Sequence, residues 1–324
     1  MPTVEDHEEA GVVGMAVPVQ VVPKDEDRGP SETGTAADDG RTAVTTTALV
    51  RKQCLRGEFL LLPSDMVCQY MFKYGVWADP EAQLCLDILS KVPGDIVEAG
   101  AHVGTHTVPL AREAAKTGHT LMAVEPQAVL FELLLQNVAL NSLNNVRLHN
   151  AFLSRAPGRV PAQVAESYLV PWNYGAYSID RGYSQERPYP GVLRPNQETE
   201  VTTVDQLVAD YGLAPSLLKL DVEGHELEVL KGAQVTLSTH LPYIFAEVMP
   251  FAAGPFVRAL RDMGYTCYWA ISARPDKGGA DFNMVCTPDG RTKERGRWEP
   301  VGLEKASAIG PPARLPPFLE RYPV

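Results

Sequence analysis

The feature that most restricts the fold of this chain is the alternation, from residue 51 onward, of short apolar runs with longer segments of helical periodicity. The segment 127–141, for example, places Leu130, Leu133, Leu134 and Val138 on one helical face. Strands that alternate with helices favour an α/β fold with a mainly parallel sheet flanked by helices. The predicted strands are DIVEA at 95–99, TLMAVE at 120–125, 146–149, LLKLDV at 217–222, YIFAEV at 243–248, 265–271 and 282–287.

Two stretches depart from this alternation. Residues 1–50 carry ten acidic side chains against three basic ones, and we expect a flexible acidic tail before a domain at 51–324. Residues 154–200 hold six prolines and six tyrosines or tryptophans, which predicts an insertion over the sheet edge. Long loops in compact domains are often functional, so this insertion is either a substrate cover or a loop anchored to the core.

Charge and composition exclude several classes of protein. The net charge of -11 gives no general attraction to nucleic acid or to an anionic membrane. Five cysteines without a C-x-x-C pair predict reduced thiols, not disulfides or a zinc site. No apolar run has the roughly 20 residues that a membrane span requires, and the run at 11–22 follows acidic residues. We therefore expect a cytoplasmic protein with neither nucleic acid nor membrane as its partner.

The segment EAGAHVG at 98–104 joins the end of a predicted strand to a predicted helix. Ligands bind at that position in doubly wound sheets, and Gly100 and Gly104 let the backbone turn tightly. Glu98 would accept a hydrogen bond from an ammonium group, which suits the methionine moiety of S-adenosylmethionine. The expected cofactor contacts in this segment are Glu98, Gly100, Ala101, His102, Gly104 and Thr107.

Glu125 ends the next strand, Pro126 stops it, and both are expected to contact the cofactor. An acid at this place accepts hydrogen bonds from ribose hydroxyls in nucleotide-binding sheets. An NAD-dependent oxidoreductase would use the same acid. The first turn lacks the G-x-G-x-x-G spacing that a pyrophosphate needs, which favours S-adenosylmethionine over a dinucleotide.

Several motifs together, VEAGAHVGTHT, AVEPQ, FELLLQNVALNSLNNV, NYGAYS, TTVDQL and LLKLDVEGHELEVLKGA followed by PYIFAEV, closely resemble the FkbM family of S-adenosylmethionine-dependent methyltransferases over residues 74–288. The resemblance implies a Rossmann-like class I methyltransferase fold with a seven-stranded sheet whose last strand is antiparallel. It also implies O-methylation of a hydroxyl on a natural product or sugar, and cofactor contacts from Glu81, Asn150 and Ala151. The family commonly has Asp in place of Glu98 and Asn in place of His102.

Three side chains after the strand at 217–222 are the candidate catalytic residues. Methyl transfer mainly requires the acceptor oxygen to be positioned, and a hydroxyl acceptor must also lose a proton. We expect Asp221 to face the cleft, His225 to act as the base and Glu223 to anchor the substrate. Glu226 and Glu228 are expected on a solvated helix face.

Asp221 and Glu247 end consecutive strands and could converge on a divalent cation, but two carboxylates are too few to assign one, so a metal is not favoured. The sequence thus predicts an S-adenosylmethionine-dependent O-methyltransferase of a hydroxylated small molecule or glycan. The alternatives are a non-catalytic interaction module with the same fold and, less favoured, the NAD-dependent oxidoreductase.

Overall fold

The computed structural model describes residues 12–16, 48–165, 168–178, 190–191, 193–273, 280–292, 296–301 and 303–305. Its strands are β1 (Val12–Ala16), β2 (Ala48–Cys54), β3 (Gly57–Leu61), β4 (Asp95–Ala99), β5 (Leu121–Val124), β6 (Val146–His149), β7 (Phe152–Leu153), β8 (Gly158–Ala165), β9 (Leu193–Thr202), β10 (Pro215–Leu220), β11 (Tyr243–Glu247), β12 (Tyr265–Ala273), β13 (Ala280–Pro288) and β14 (Glu304–Lys305). Its helices are α1 (Met66–Tyr74), α2 (Asp79–Lys91), α3 (Thr107–Ala115), α4 (Ala128–Leu140), α5 (Val204–Tyr211), α6 (Glu226–Lys231), α7 (Gln234–His240) and α8 (Ala253–Asp262), with a 3-10 turn at Tyr174–Ala176.

The central sheet has the strand order β14-β12-β13-β11-β10-β4-β5-β6. Neighbouring strands from β11 to β6 are parallel, whereas β13 runs antiparallel between β11 and β12. The predicted mainly parallel seven-stranded sheet with an antiparallel last strand is confirmed. The two-residue strand β14 adds a short eighth member at the edge.

Helices cover both faces of this sheet. Apolar side chains of α2, α3 and α4 pack on one face around Ile96 and Phe245. Those of α5 to α8 pack on the other face around Val97 and Leu218. Because both faces are covered, the inner strands are mostly apolar, and a ligand can approach the sheet only at its ends.

The predicted strand at 217–222 lies two residues earlier in the structure. β10 pairs in parallel with β4, and the pairing ends at Leu220 and Ala99, where β4 itself ends. Asp221 and Val222 therefore leave the sheet and begin the following loop. This shift places the Asp221 side chain at the carboxyl edge, where the candidate site lies.

Two smaller sheets flank the central one. In the first, β1 and β3 pair antiparallel with β2, so folded structure begins before residue 51. Residues 1–11 and 17–47, most of the expected flexible tail, lie outside the described residues. In the second, β9 pairs with β7 and β8, so 158–165 and 193–200 form strands and not the loop that their prolines indicate. Residues 166–167, 179–189 and 192 of the insertion lie outside the described part.

Across the described ranges, we find no helix with both the length and the apolarity needed to cross a membrane.

Candidate functional site

A cavity of about 580 Å³ opens at the carboxyl edge of the central sheet. Its floor comes from the ends of β4, β5, β10 and β11, and its walls come from α1, α2 and the insertion. A second pocket of about 40 Å³ adjoins it beside the end of β5. Gly100, Glu125, Gly175, Asp221 and Glu223 line both, so the two form one continuous site.

The turn after β4 depends on glycine for a reason that the sequence did not indicate. Gly100 has a φ of 79°, and a Cβ there would lie 1.8 Å from the carbonyl oxygen of Asp221. Glycine is therefore required at position 100 because the loop after β10 packs directly against it, whether or not a ligand is bound. Gly104, with a φ of 93°, packs against Leu134 and lies outside the residues that line the cavity.

Glu98 is fully buried and does not line the cavity. Thr107 donates a hydrogen bond from Oγ1 to Glu98 Oε2 at 2.6 Å, and the Lys219 ammonium lies 3.7 Å from Glu98 Oε1. Burial raises the pKa of Glu98, and Lys219 opposes that effect. Neither Glu98 nor Thr107, both of which were expected to contact the cofactor, lines the large cavity or the small pocket.

Lys219 is a site residue that the sequence analysis missed. Its side chain is only 2% exposed, lines the cavity and lies 3.5 Å from Asp221 Oδ2. Burial alone would lower its pKa, but Asp221 and Glu98 outweigh burial and raise it, so Lys219 is charged. The available signal was a lysine within an otherwise apolar strand, next to a strand that also carries a charge at Glu98.

Glu125 lies at the junction of the two pockets. Its Oε2 accepts a hydrogen bond from the backbone N–H of His102 and its Oε1 accepts one from that of Gln127, each at 2.9 Å. Burial raises its pKa, while these backbone donors oppose the change. Asn150 donates its side-chain N–H to the Glu125 carbonyl at 2.7 Å and so supports this turn without lining either pocket.

The other predicted residues of the cofactor site divide between the two pockets. Pro126 and Ala151 line the small pocket, whereas Ala101, His102 and Glu81 line the large cavity. Glu81, on α2, accepts a hydrogen bond from Asn283 Nδ2 at 3.0 Å.

His102 has a φ of 53° and is held beside a buried carboxylate. Its Nε2 lies 3.5 Å from Asp65 Oδ2, and Asp65 raises the pKa of His102 against the opposing effect of burial. Asp65 also caps α1 by accepting from the Cys68 N–H, and it accepts from the Tyr174 N–H of the insertion. Sequence reasoning missed Asp65, although an aspartate before an amphipathic helix is a capping signal.

A second imidazole, His106, also lines the cavity and was missed. Burial, together with the nearby Lys219 charge, lowers its pKa to about 3. His106 is therefore neutral near pH 7.

Three carboxylates meet at the far end of the cavity. One oxygen from each of Asp221, Glu223 and Glu247 lies within 4.8 Å of the other two. Burial and the neighbouring acids hold the pKa of Glu247 well above its ordinary range. The fold thus adds Glu223 to the expected pair, and carboxylate clusters of this kind also occur without a cation.

His225 does not face the large cavity. It precedes α6, its Nε2 lies 3.0 Å from Ser154 Oγ, and it borders only the small pocket. The expected role of His225 as the base for a cleft-bound acceptor does not fit this position, whereas Asp221 and Glu223 do line the cavity.

Glu226 is buried, so its expected place on a solvated helix face is wrong. It is 3% exposed, and its Oε1 accepts hydrogen bonds from the N–H groups of Val222 and Gly224 at 3.2 and 3.1 Å. Burial raises its pKa to about 8 despite these donors. Glu228 instead accepts a bond from Lys231 at 2.6 Å and is 22% exposed.

A doubly wound sheet with a cavity at its carboxyl edge, a glycine turn after one strand and an acid after the next defines a class of α/β proteins that bind nucleotide-like ligands. Comparison with known proteins identifies the family. The methyltransferase FkbM domain matches residues 98–267, more than half of the chain, and the protein belongs to this family. It is thus a methyltransferase.

The chain is similar to two proteins that are named as methyltransferases. "Methyltransferase 1" of Beauveria bassiana (strain ARSEF 2860) is 28% identical over 237 residues, which are 65% of this chain and 92% of the relative. "Methyltransferase sdnD" of Sordaria araneosa is 31% identical over 170 residues, 46% of this chain and 64% of the relative. The match therefore spans less than two thirds of the Sordaria protein.

Solved structures with a related arrangement are more distant. Methyltransferase FkbM from Methylobacillus flagellatus has a TM-score of 0.40 and 19% identity, over 60% of this chain and 43% of that one. The O-methyltransferase TomG from Streptomyces achromogenes has a TM-score of 0.38 and 13% identity, over 68% and 86% of the two chains.

Proposed function

We propose that this protein is an S-adenosylmethionine-dependent O-methyltransferase that acts on a hydroxyl group of a small molecule or glycan. The observation that carries the proposal is the position of Glu125 at the junction of two connected pockets. The small pocket has an apolar side formed by Pro126, Ala151 and Phe152, and the large one has an acidic end. An adenosine needs an acid for its ribose beside an apolar slot for its base, and the large cavity leaves room for an acceptor.

The cofactor would extend across the carboxyl edge of the sheet. Pro126 and Ala151 border the space for the adenine, and the Glu125 carboxylate, held by two backbone donors, accepts from the ribose hydroxyls. Gly100, Ala101 and His102 form the wall along the rest of the molecule. When bound, S-adenosylmethionine supplies the methyl group.

The acceptor would enter from the side of α1 and the insertion. Trp77 and Trp172 line that part of the cavity and offer apolar ring faces to a sugar or another ring. Asp221 and Glu223 lie in the same cavity, where a carboxylate can hold the acceptor hydroxyl and take its proton during the displacement. Glu223 is the first choice for this role, because the Asp221 carboxylate already lies 3.5 Å from the Lys219 ammonium.

Isothermal titration tests the proposal. We expect S-adenosylmethionine and S-adenosylhomocysteine to bind with roughly micromolar affinity and NAD not to bind. Release of S-adenosylhomocysteine in the presence of hydroxylated acceptors would then identify the acceptor class, with their O-acetylated forms as controls. If neither sulfur compound binds, the cofactor assignment is wrong and the non-catalytic interaction module becomes the better explanation.

A further inference from the structure

The order of the strands sets the direction in which the cofactor lies. Glu125 follows β5, Gly100 follows β4, and Lys219 lies near the end of β10, which is the next strand along the sheet. A cofactor with its ribose at Glu125 and its chain passing Gly100 therefore brings its amino-acid end to β10. This step rests on the proposed function.

At that end the cavity presents the Lys219 cation beside Asp221, which is also one of the three clustered carboxylates with Glu223 and Glu247. The Lys219 ammonium and Asp221 Oδ2 are 3.5 Å apart, and both residues line the cavity. The methionine part of the cofactor carries an α-carboxylate and an α-ammonium on a single carbon. A lysine and an aspartate at this spacing match both charges of such a group.

The position of Lys219 is fixed by a buried acid on the neighbouring strand. Parallel pairing of β10 with β4 puts Lys219 opposite Glu98, whose Oε1 is 3.7 Å from the ammonium. Glu98 is in turn fixed by the hydrogen bond from Thr107. Because Glu98 and Asp221 both face it, Lys219 keeps its charge although it is buried.

We propose that Lys219 binds the α-carboxylate of the cofactor and Asp221 its α-ammonium, with Glu98 as a positioning residue that acts through Lys219. Glu98 thereby keeps a function in the cofactor site without touching the cofactor.

The test compares two ligands that differ only in the amino-acid part. S-adenosylhomocysteine contains it, and 5′-methylthioadenosine lacks it. Replacement of Lys219 by methionine removes the charge while keeping most of the chain length. We expect Lys219→Met to weaken binding of S-adenosylhomocysteine by about 10- to 100-fold, the effect of one lost charge-assisted hydrogen bond, and to leave that of 5′-methylthioadenosine unchanged.

A fold defect must be separated from a lost contact. Removing Lys219 leaves Glu98 buried without its cation, so the double variant Glu98→Gln/Lys219→Met restores neutrality. We expect it to regain the melting temperature but not the affinity for S-adenosylhomocysteine. Lys231→Met is the matched control, because Lys231 is 46% exposed and pairs with Glu228 away from the cavity.

Wild-type protein gives a second, independent measurement. Decarboxylated S-adenosylhomocysteine should bind at least about tenfold more weakly than the parent compound. Equal affinity for these two ligands, or an equal loss for both ligands in Lys219→Met, would overturn the carboxylate assignment. Failure of the wild type to bind either S-adenosylhomocysteine or 5′-methylthioadenosine would overturn the proposed function itself, and this inference with it.

Discussion

The buried carboxyl of Glu226 should make the stability of the protein depend on pH. Burial raises its pKa from an ordinary value of 4.5 to about 8 in the folded state. The folded protein therefore holds a proton that the unfolded chain releases over this range. For a raised pKa, the stabilising contribution is complete below the unfolded value and is lost as the pH rises through the folded one.

The structure sets the magnitude of this effect. Each pKa unit corresponds to about 1.4 kcal/mol, so the change from 4.5 to about 8 amounts to on the order of 5 kcal/mol. Glu226→Gln keeps a neutral side chain that accepts the Val222 and Gly224 N–H bonds but does not titrate. The free energy of unfolding of wild type, relative to that of this variant, should therefore fall by a few kcal/mol between about pH 4 and about pH 9.

Urea unfolding at several pH values measures the difference in unfolding free energy between wild type and Glu226→Gln. The titration of every other group is common to both proteins and cancels in that difference. Glu228→Gln is the control from the same helix. Partial burial acts to raise the pKa of Glu228, but the hydrogen bond and the charge of Lys231 outweigh burial, so the pKa is lowered. The contribution of Glu228 to the free energy of unfolding is therefore lost as the pH falls, which is the opposite direction to Glu226. A wild-type minus Glu226→Gln difference that varies by less than about 1 kcal/mol across the range would refute the reasoning.

Other substitutions test the site and its support. Gly100→Ala should abolish cofactor binding and lower the melting temperature, because the added Cβ would lie 1.8 Å from the Asp221 carbonyl oxygen. Gly118→Ala is the control: Gly118 has a similar positive φ but open space around it, so this substitution should lower the free energy of unfolding by only about 1 kcal/mol. Glu125→Ala should weaken S-adenosylmethionine binding by about 1–3 kcal/mol in calorimetry, and a fall in turnover alone would argue against a ribose contact. Asn137→Ala should cost about 2–3 kcal/mol in urea unfolding, because it removes the acceptor of the buried Leu60 N–H; a loss near zero would contradict that role.

Local pattern was sufficient for much of the fold. The predicted bounds of β4 and β6 agree with the structure, because each is a short run containing β-branched or leucine residues between two turns. The glycine turn after β4 and the acid after β5 could be placed at one edge of the sheet, since parallel strands end together there. Glu125 therefore lies where its sequence context predicts.

Other features depended on contacts between distant parts of the chain. His225 and Glu226 follow the same strand as Asp221, yet one turns to Ser154 and the other is buried under two backbone donors. Asp65 reaches His102 and Tyr174 only because α1 packs beside the insertion. No local periodicity contains this information.

By itself, the sequence determined the seven main strands of the central sheet, their mainly parallel arrangement, the family and the edge at which the candidate site lies, because those follow from residue patterns within short segments. Only the tertiary structure decided that Glu98 faces Lys219 and not the cavity. That contact is set by the register of β4 against β10, two strands far apart in the chain. A shift of one residue in that register would turn Lys219 to the opposite face of the sheet, so the charge arrangement of the site is a property of strand pairing.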